Sequence, residues 1–296
     1  VRGWPLEYEE PVFRPPSEAA SLIVQATVGC SWNRCAFCGM YRTKRYRVRP
    51  LEELEREIRE VAPLARPARR VFLADGDALA APQEHLEGVL GAIRRHLPWV
   101  RRVGIYGDSR SILRKGVEGL RRLAALGLGI VYFGVESGDD ATLRAVRKGA
   151  TAARQLEACR VVREAGLKLS AMVLLGLAGE EGSARHAAAT GRFLVAARPT
   201  YAAALTVTPV PGTELYDEWL AGRFRLPDRW RVLEELARLL EAMDGYRGPF
   251  HANHASNWLP LKLRLPRDRD RAIALIREVV AARDESALVP EWARGL

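Results

Sequence analysis

The sequence predicts an α/β fold, a partial (β/α)6 barrel, on three observations. Six short β-branched or aliphatic runs recur along the chain, amphipathic helical stretches separate them, and turns rich in Gly, Asp or Ser follow the runs. Strands that alternate with helices pair in parallel through right-handed crossovers. Six such units fall short of the eight that close a barrel, so an incomplete one is expected, with polar chemistry at the carboxyl ends of its strands. At 296 residues the chain has the length for one large domain of this kind with appendages.

The elements follow in order. Residues 1–20 carry Pro5, Pro11, Pro15 and Pro16 and predict an extended arm, because proline fixes φ and removes a backbone donor. The barrel is expected over 21–225, with strands at 21–27, 70–74, 101–106, 130–135, 168–174 and 201–207. Between them, one-sided apolar stripes mark helices: Leu51, Leu54, Ile58 and Val61; Leu86, Val89, Leu90, Ile93 and Leu97; Leu113, Val117, Leu120 and Ala124. Over 226–296 the rhythm changes to two helical patterns, Trp230, Leu233, Leu236, Leu240 and Ile273, Ile276, Val280. The segment 248–263 between them reads as irregular, and the whole as a carboxyl-terminal extension covering the barrel mouth.

Composition narrows the class. Hydrophobic residues at 48% and charged residues at 28% are ordinary for a globular chain and exclude disordered and fibrous classes. No run of about 18 apolar residues suggests a membrane span, and residues 1–10 hold acids and a proline where a signal peptide needs an apolar core, so a cytoplasmic protein without a membrane partner is expected. A net charge of +10 favours anionic partners. It does not separate a small anionic substrate from an acidic protein or nucleic acid, though nucleic acid is the less favoured.

Chemistry concentrates behind the first strand. Cys30, Cys35 and Cys38 form a C-x4-C-x2-C loop that contains three of the four cysteines. Soft thiolates this close converge on a soft metal centre, and three is one short of a closed zinc or iron–sulfur site. A structural zinc would need a fourth ligand, for which His85, His251 and His254 are the candidates. Cys159, at helical spacing from Leu156 and Val162, reads as a small core residue. Arg42, Lys44, Arg45, Arg47 and Arg49, interleaved with Tyr41 and Tyr46, read as a solvated loop leading into the helix after Pro50, or as a lane steering an anionic substrate.

The order of motifs on successive strand ends resembles the radical S-adenosylmethionine (SAM) superfamily. The cysteine loop follows strand one, Asp75-Gly76-Asp77 strand two, Val135-Glu136-Ser137-Gly138 strand four with Arg147-Lys148-Gly149 after the next helix, and Leu175-Gly176-Leu177-Ala178-Gly179-Glu180 strand five. The resemblance spans about 21–216 and is strongest to the coproporphyrinogen-oxidase and methylthiotransferase branches. The superfamily's usual C-x3-C-x2-C has one residue fewer than this loop.

The resemblance implies a [4Fe-4S] cluster on Cys30, Cys35 and Cys38, with SAM bound by Phe37, Gly76, Asp77, Ser109, Glu136, Lys148 and Gly176. Glu136 would meet the ribose hydroxyls and Lys148 the methionine carboxylate. An oxygen-sensitive enzyme is implied, which takes an electron from a donor such as flavodoxin or ferredoxin, cleaves SAM reductively and abstracts a hydrogen from an anionic substrate. Asp75, Asp108 and the polar strip His251, Asn253, His254 and Asn257 are the candidate substrate residues. Two rivals stand beside this reading: an RNA- or protein-modifying enzyme of the same superfamily, and a non-catalytic, cluster-bearing tetrapyrrole carrier.

Overall fold

A computed structural model describes residues 5–295, so the first four residues of the expected arm lie outside the described part. The chain divides into two compact units. One comprises the chain through Asn33, Met40–Phe133 and Arg160–Leu169; the other comprises Arg34–Gly39, Gly134–Cys159 and Ser170 onward.

In the first unit β1 (Leu22–Gln25) is followed by a two-residue strand, β2 (Thr27–Val28), which pairs antiparallel with β3 (Arg47–Val48). The expected strand at 21–27 is therefore two strands. The break has a consequence for the cysteine loop, whose base is closed where Thr27 and Val28 meet Val48 and Arg47. Next come α1 (Leu51–Val61), β4 (Arg70–Ala74), α2 (Gln83–His96), β5 (Arg102–Gly107), α3 (Ser109–Ala125) and β6 (Leu128–Glu136), which runs on into the second unit. Strands β1, β4, β5 and β6 lie side by side in that order, all parallel. Helix α1 turns Leu54, Ile58 and Val61 inward and α2 turns Leu86, Val89, Leu90 and Ile93 inward, as their spacing predicts. Each such fully buried side chain contributes about 1.5–3 kcal/mol of hydrophobic stabilisation.

The chain continues with α4 (Asp140–Ala145), α5 (Ala152–Glu164), β7 (Lys168–Leu175), α6 (Gly179–Ala197), β8 (Tyr201–Thr206), α7 (Glu214–Leu220), α8 (Arg229–Glu241), β9 (Gly248–Ala252), β10 (Leu261–Leu265) and α9 (Arg269–Ala282), all in the second unit except the end of α5 and the start of β7. Strands β7 and β8 pair in parallel, β9 continues the sheet parallel to β8, and β10 turns back antiparallel. The segment expected to be irregular thus contains two strands. In β10, Leu261-Lys262-Leu263-Arg264-Leu265 alternates buried and exposed as a half-covered strand does. Helix α8 packs on α6, and α9 on α8. Cys159 is fully buried in α5, and no helix among the described residues is long and apolar enough to cross a membrane.

Candidate active site

In the first unit the chemistry gathers where β4 ends. Asp75 has no exposed surface. Its Oδ2 accepts hydrogen bonds from the Gly29 amide at 2.9 Å, Gln25 Nε2 at 3.0 Å and Lys44 Nζ at 3.0 Å, while Oδ1 is buried with no partner. Burial pushes its pKa up, and the Gly29 amide and Lys44 oppose the shift. Lys44 is itself buried and donates also to the carbonyls of Glu9 and Pro11. The pair therefore pins the residue before Cys30 to the end of β4 and to the arm.

Asp77 is equally enclosed. Its Oδ1 accepts from the Asp108 amide at 3.1 Å and Ser111 Oγ at 2.7 Å, and its Oδ2 accepts from Ser31 Oγ, next to Cys30. Burial raises its pKa, with the charge of Asp108 adding to the rise. Both acids thus hydrogen-bond to protein groups, Asp77, expected at the cofactor, as well as Asp75, expected at the substrate. Gly76, between them, cannot carry a side chain, because a Cβ would stand 2.5 Å from the Tyr41 ring and 3.1 Å from Cys30 Cβ. Asp108 caps α3 in a reciprocal capping box with Ser111 and accepts from Arg110 Nε at 2.7 Å. The Arg110 guanidinium lies 3.9 Å from the Trp32 ring centroid. Ser109 is fully buried, and its Oγ has no partner.

The basic run splits in two. Lys44 pairs with the buried Asp75 and Arg49 with the buried Glu57, whereas Arg45 and Arg47 are exposed, Arg47 reaching the exposed Glu9 at 2.8 Å. Lys44 and Arg49 are structural charge, while Arg45 and Arg47 keep the solvated character expected of the loop, a difference that depends on which acids fold against each.

In the second unit the rest of the cysteine loop is held by its backbone. The Ala36 amide donates to the Val146 carbonyl at 2.8 Å, the Leu215 amide donates to the Ala36 carbonyl at 2.9 Å, and the Cys38 amide donates to Cys35 at 3.2 Å. Phe37 packs on a cluster of Ala36, Val146, Leu177, Val207 and Leu215. All three loop cysteines are partly exposed. A cavity of about 500 Å³ lies against Ala36 and Leu177. The arginines around it are engaged, Arg147 with Glu214 at 2.7 Å, Arg185 with Asp139 at 3.2 Å and Arg223 with Glu218 at 2.7 Å.

Glu136 ends β6 with φ at 64°, and its carboxylate meets Lys148 Nζ at 3.2 Å. Gly134 makes the room, since a Cβ there would stand 2.2 Å from Glu136 Oε1. Gly176 turns the chain after β7 at φ +78°, which an L side chain rarely adopts. Its amide donates to Glu235 Oε1 at 2.7 Å. The polar strip is dispersed: His251 and Asn253 are exposed, His254 is half-buried, and Asn257 is buried. Asn257 fastens β8 by accepting from Thr206 Oγ1 at 2.8 Å and donating to the Ala204 carbonyl at 2.8 Å.

Two polar residues here escaped the sequence reading. His186 and Glu235 are both fully buried. A signal existed for Glu235, a carboxylate on the buried stripe Val232, Glu235, Leu236 and Leu239 of α8. Burial raises Glu235 to about 7 and lowers His186 to about 4.

The family model described as the radical SAM superfamily matches residues 24–188. An uncharacterized protein of Methanopyrus kandleri is 28% identical over 221 residues, which are 70% of this chain and 41% of that protein. The chain therefore spans about two fifths of that relative's length. Coproporphyrinogen III oxidase from Escherichia coli, a radical SAM enzyme, superposes with a TM-score of 0.58 at 18% identity, over 75% of this chain and 51% of the other. The radical SAM methyltransferase TsrM from Kitasatospora setae, with tryptophan and a SAM analogue bound, gives 0.56 at 18% identity, over 87% and 58%. These likenesses show the fold.

Proposed function

The chain belongs to the radical SAM superfamily, whose model covers more than half of its residues, and from that premise we propose that Cys30, Cys35 and Cys38 hold the cluster of an enzyme that abstracts hydrogen from an anionic substrate. As a radical SAM enzyme it uses a [4Fe-4S] cluster and SAM. The observation that carries the residue assignment is the three-cysteine loop directly after the first sheet strand, inside the matched region. The donor set fits the group: three soft thiolates are one fewer than a protein-saturated cluster takes, which leaves an iron for the cofactor. The bare backbone of Gly76 beside Cys30 fits as well, since a side chain there would fill the space next to the thiol.

When bound, cluster and cofactor would supply one-electron chemistry for hydrogen abstraction. The chain's own residues bind, orient and exclude water. Glu136 offers carboxylate oxygens to vicinal ribose hydroxyls, and Lys148 beside it offers a cation to the methionine carboxylate. Phe37 gives the adenine an apolar face, and the backbone turn at Gly176 borders it. Gly76 and Ser109 border the methionine end, with Asp75 and Asp77 bracing the loop from below. Asp108, His251, Asn253 and His254 remain candidates for the substrate side.

The net charge of +10 supports an anionic substrate, and an electron donor of the flavodoxin or ferredoxin kind would supply the reductant. The test is Cys35→Ala in anaerobically reconstituted protein. Loss of both cluster absorbance and 5′-deoxyadenosine formation is expected; retained turnover would remove the assignment.

A further inference from the structure

We infer that Glu235 and His186 are positioning residues for SAM, holding the Gly176 turn and the Glu136–Ser137 strand end from one buried polar link. The inference rests on the proposed roles of Gly176 and Glu136 and adds a part played by α8, which lies beyond the region that the family model matches.

The link can be followed atom by atom. Glu235 Oε1 accepts from the Gly176 amide at 2.7 Å, and Oε2 accepts from Ser183 Oγ on α6. His186, one turn further along α6, has its Nε2 3.0 Å from the Leu174 carbonyl and 3.6 Å from Glu235 Oε1. A carbonyl only accepts, so Nε2 carries the proton and donates. In the neutral ring Nδ1 is then an acceptor, and it receives the Ser137 hydroxyl at 2.7 Å. Ser137 Oγ in turn accepts from the Asp139 amide at 2.9 Å, and the Ser137 carbonyl accepts from Gln155 Nε2 at 3.1 Å. Thr190, the next turn of α6, receives the Gly138 amide at 2.9 Å. The low pKa that burial gives His186 agrees with a neutral ring.

Two turns that approach the cofactor from consecutive strands are thereby tied to one helix, α6, and one of them also to α8. No charged cofactor group has to reach Glu235 or His186, since both are fully buried. Their effect on SAM passes through the Gly176 amide and the Ser137 hydroxyl. A Gly176 turn cut loose from Glu235 would sample conformations that do not border adenine, and the binding step would bear the loss.

The experiment compares Glu235→Ala, Glu235→Gln and Glu136→Gln in the full chain. SAM binding is measured by equilibrium dialysis on the cluster-loaded protein, turnover by 5′-deoxyadenosine formation, and backbone amide exchange over residues 170–182 on the cluster-free protein. Glu235→Ala leaves the Gly176 amide buried without an acceptor, and is expected to weaken SAM binding about tenfold or more while turnover at saturating SAM stays within about threefold. Amide exchange at the turn should rise in the same variant. Glu235→Gln keeps an acceptor oxygen for Gly176 and should restore binding to within about threefold of the unmodified chain.

Unchanged SAM binding or unchanged exchange in Glu235→Ala overturns the inference, as does a Glu235→Gln variant as impaired as Glu235→Ala. Should Glu235→Ala fail to fold, Ser183→Ala and Glu235→Gln decide by the same two readouts. Glu136→Gln separates the two levels: if it too leaves SAM binding unchanged, the cofactor role of this strand end fails, whereas a weakened Glu136→Gln beside an unaffected Glu235→Ala sinks only the link.

Discussion

Asp75 and Glu235 do similar work in different units, and the contrast lies in what surrounds each carboxylate. Each is fully buried, and each accepts the amide of a positive-φ glycine, Gly29 for Asp75 and Gly176 for Glu235. Asp75 has an ammonium at 3.0 Å, whereas the bonds to Glu235 come from an amide and a hydroxyl, with a neutral imidazole at 3.6 Å. Burial raises both carboxyls; beside Asp75 the Lys44 charge opposes the rise, whereas only dipoles oppose it at Glu235. Burial accordingly brings Glu235 up to about 7. The cysteine loop is fastened by an acid with a cation beside it and the Gly176 turn by an acid without one.

The largest expected effect breaks the ion pair. Lys44→Met leaves Asp75 buried without its cation and should cost about 3–5 kcal/mol of unfolding free energy, read from urea denaturation. A cost below about 1 kcal/mol, the range of exposed pairs, would erase the contrast.

A smaller effect sharpens it through pH. Glu235 is raised from 4.5 to about 7, so the stability it contributes is full below 4.5 and is lost as pH rises through about 7. His186 is lowered from 6.5 to about 4, so its contribution is present above 6.5 and is lost as pH falls through about 4. The two slopes oppose each other and flatten the profile of the unmodified chain. Glu235→Gln removes one of them. Its stability relative to the unmodified chain should rise between pH 4.5 and 7, by on the order of 3 kcal/mol at about 1.4 kcal/mol per pKa unit. Urea unfolding at pH 5 and pH 8 measures the difference, and an offset that does not change with pH would remove Glu235 as a titrating brace.

The smallest effect belongs to a contact at the edge of the loop. Arg110→Ala deletes the guanidinium stacked on Trp32, and should cost about 0.5–1 kcal/mol while quenching or shifting Trp32 fluorescence. A loss as large as that of Lys44→Met would mean that the loop is secured chiefly from its outer side.

Much of the architecture is legible in the sequence. Helices α1 and α2 announce themselves by apolar stripes, and strand β4 falls where its run of Val71, Phe72 and Leu73 puts it. Strands β9 and β10 were hidden. Pro249 and Pro260 flank or enter them, and five-residue strands carry too few alternations to stand out among polar neighbours.

The site divides along the same line. Three cysteines nine residues end to end, a Gly between two acids and an acid closing a strand are local patterns, so the sequence alone determined which residues are candidates and which superfamily they resemble. Which of them have their polar atoms consumed by the protein was decided only by the fold. Asp75 meets Lys44, Asp77 meets Ser31 and Ser111, and Glu235 meets Gly176 across separations of 31 to 59 residues. Hydrogen bonds and desolvation act over ångströms of space, and periodicity along a chain holds no record of which distant residues will be folded to within that reach.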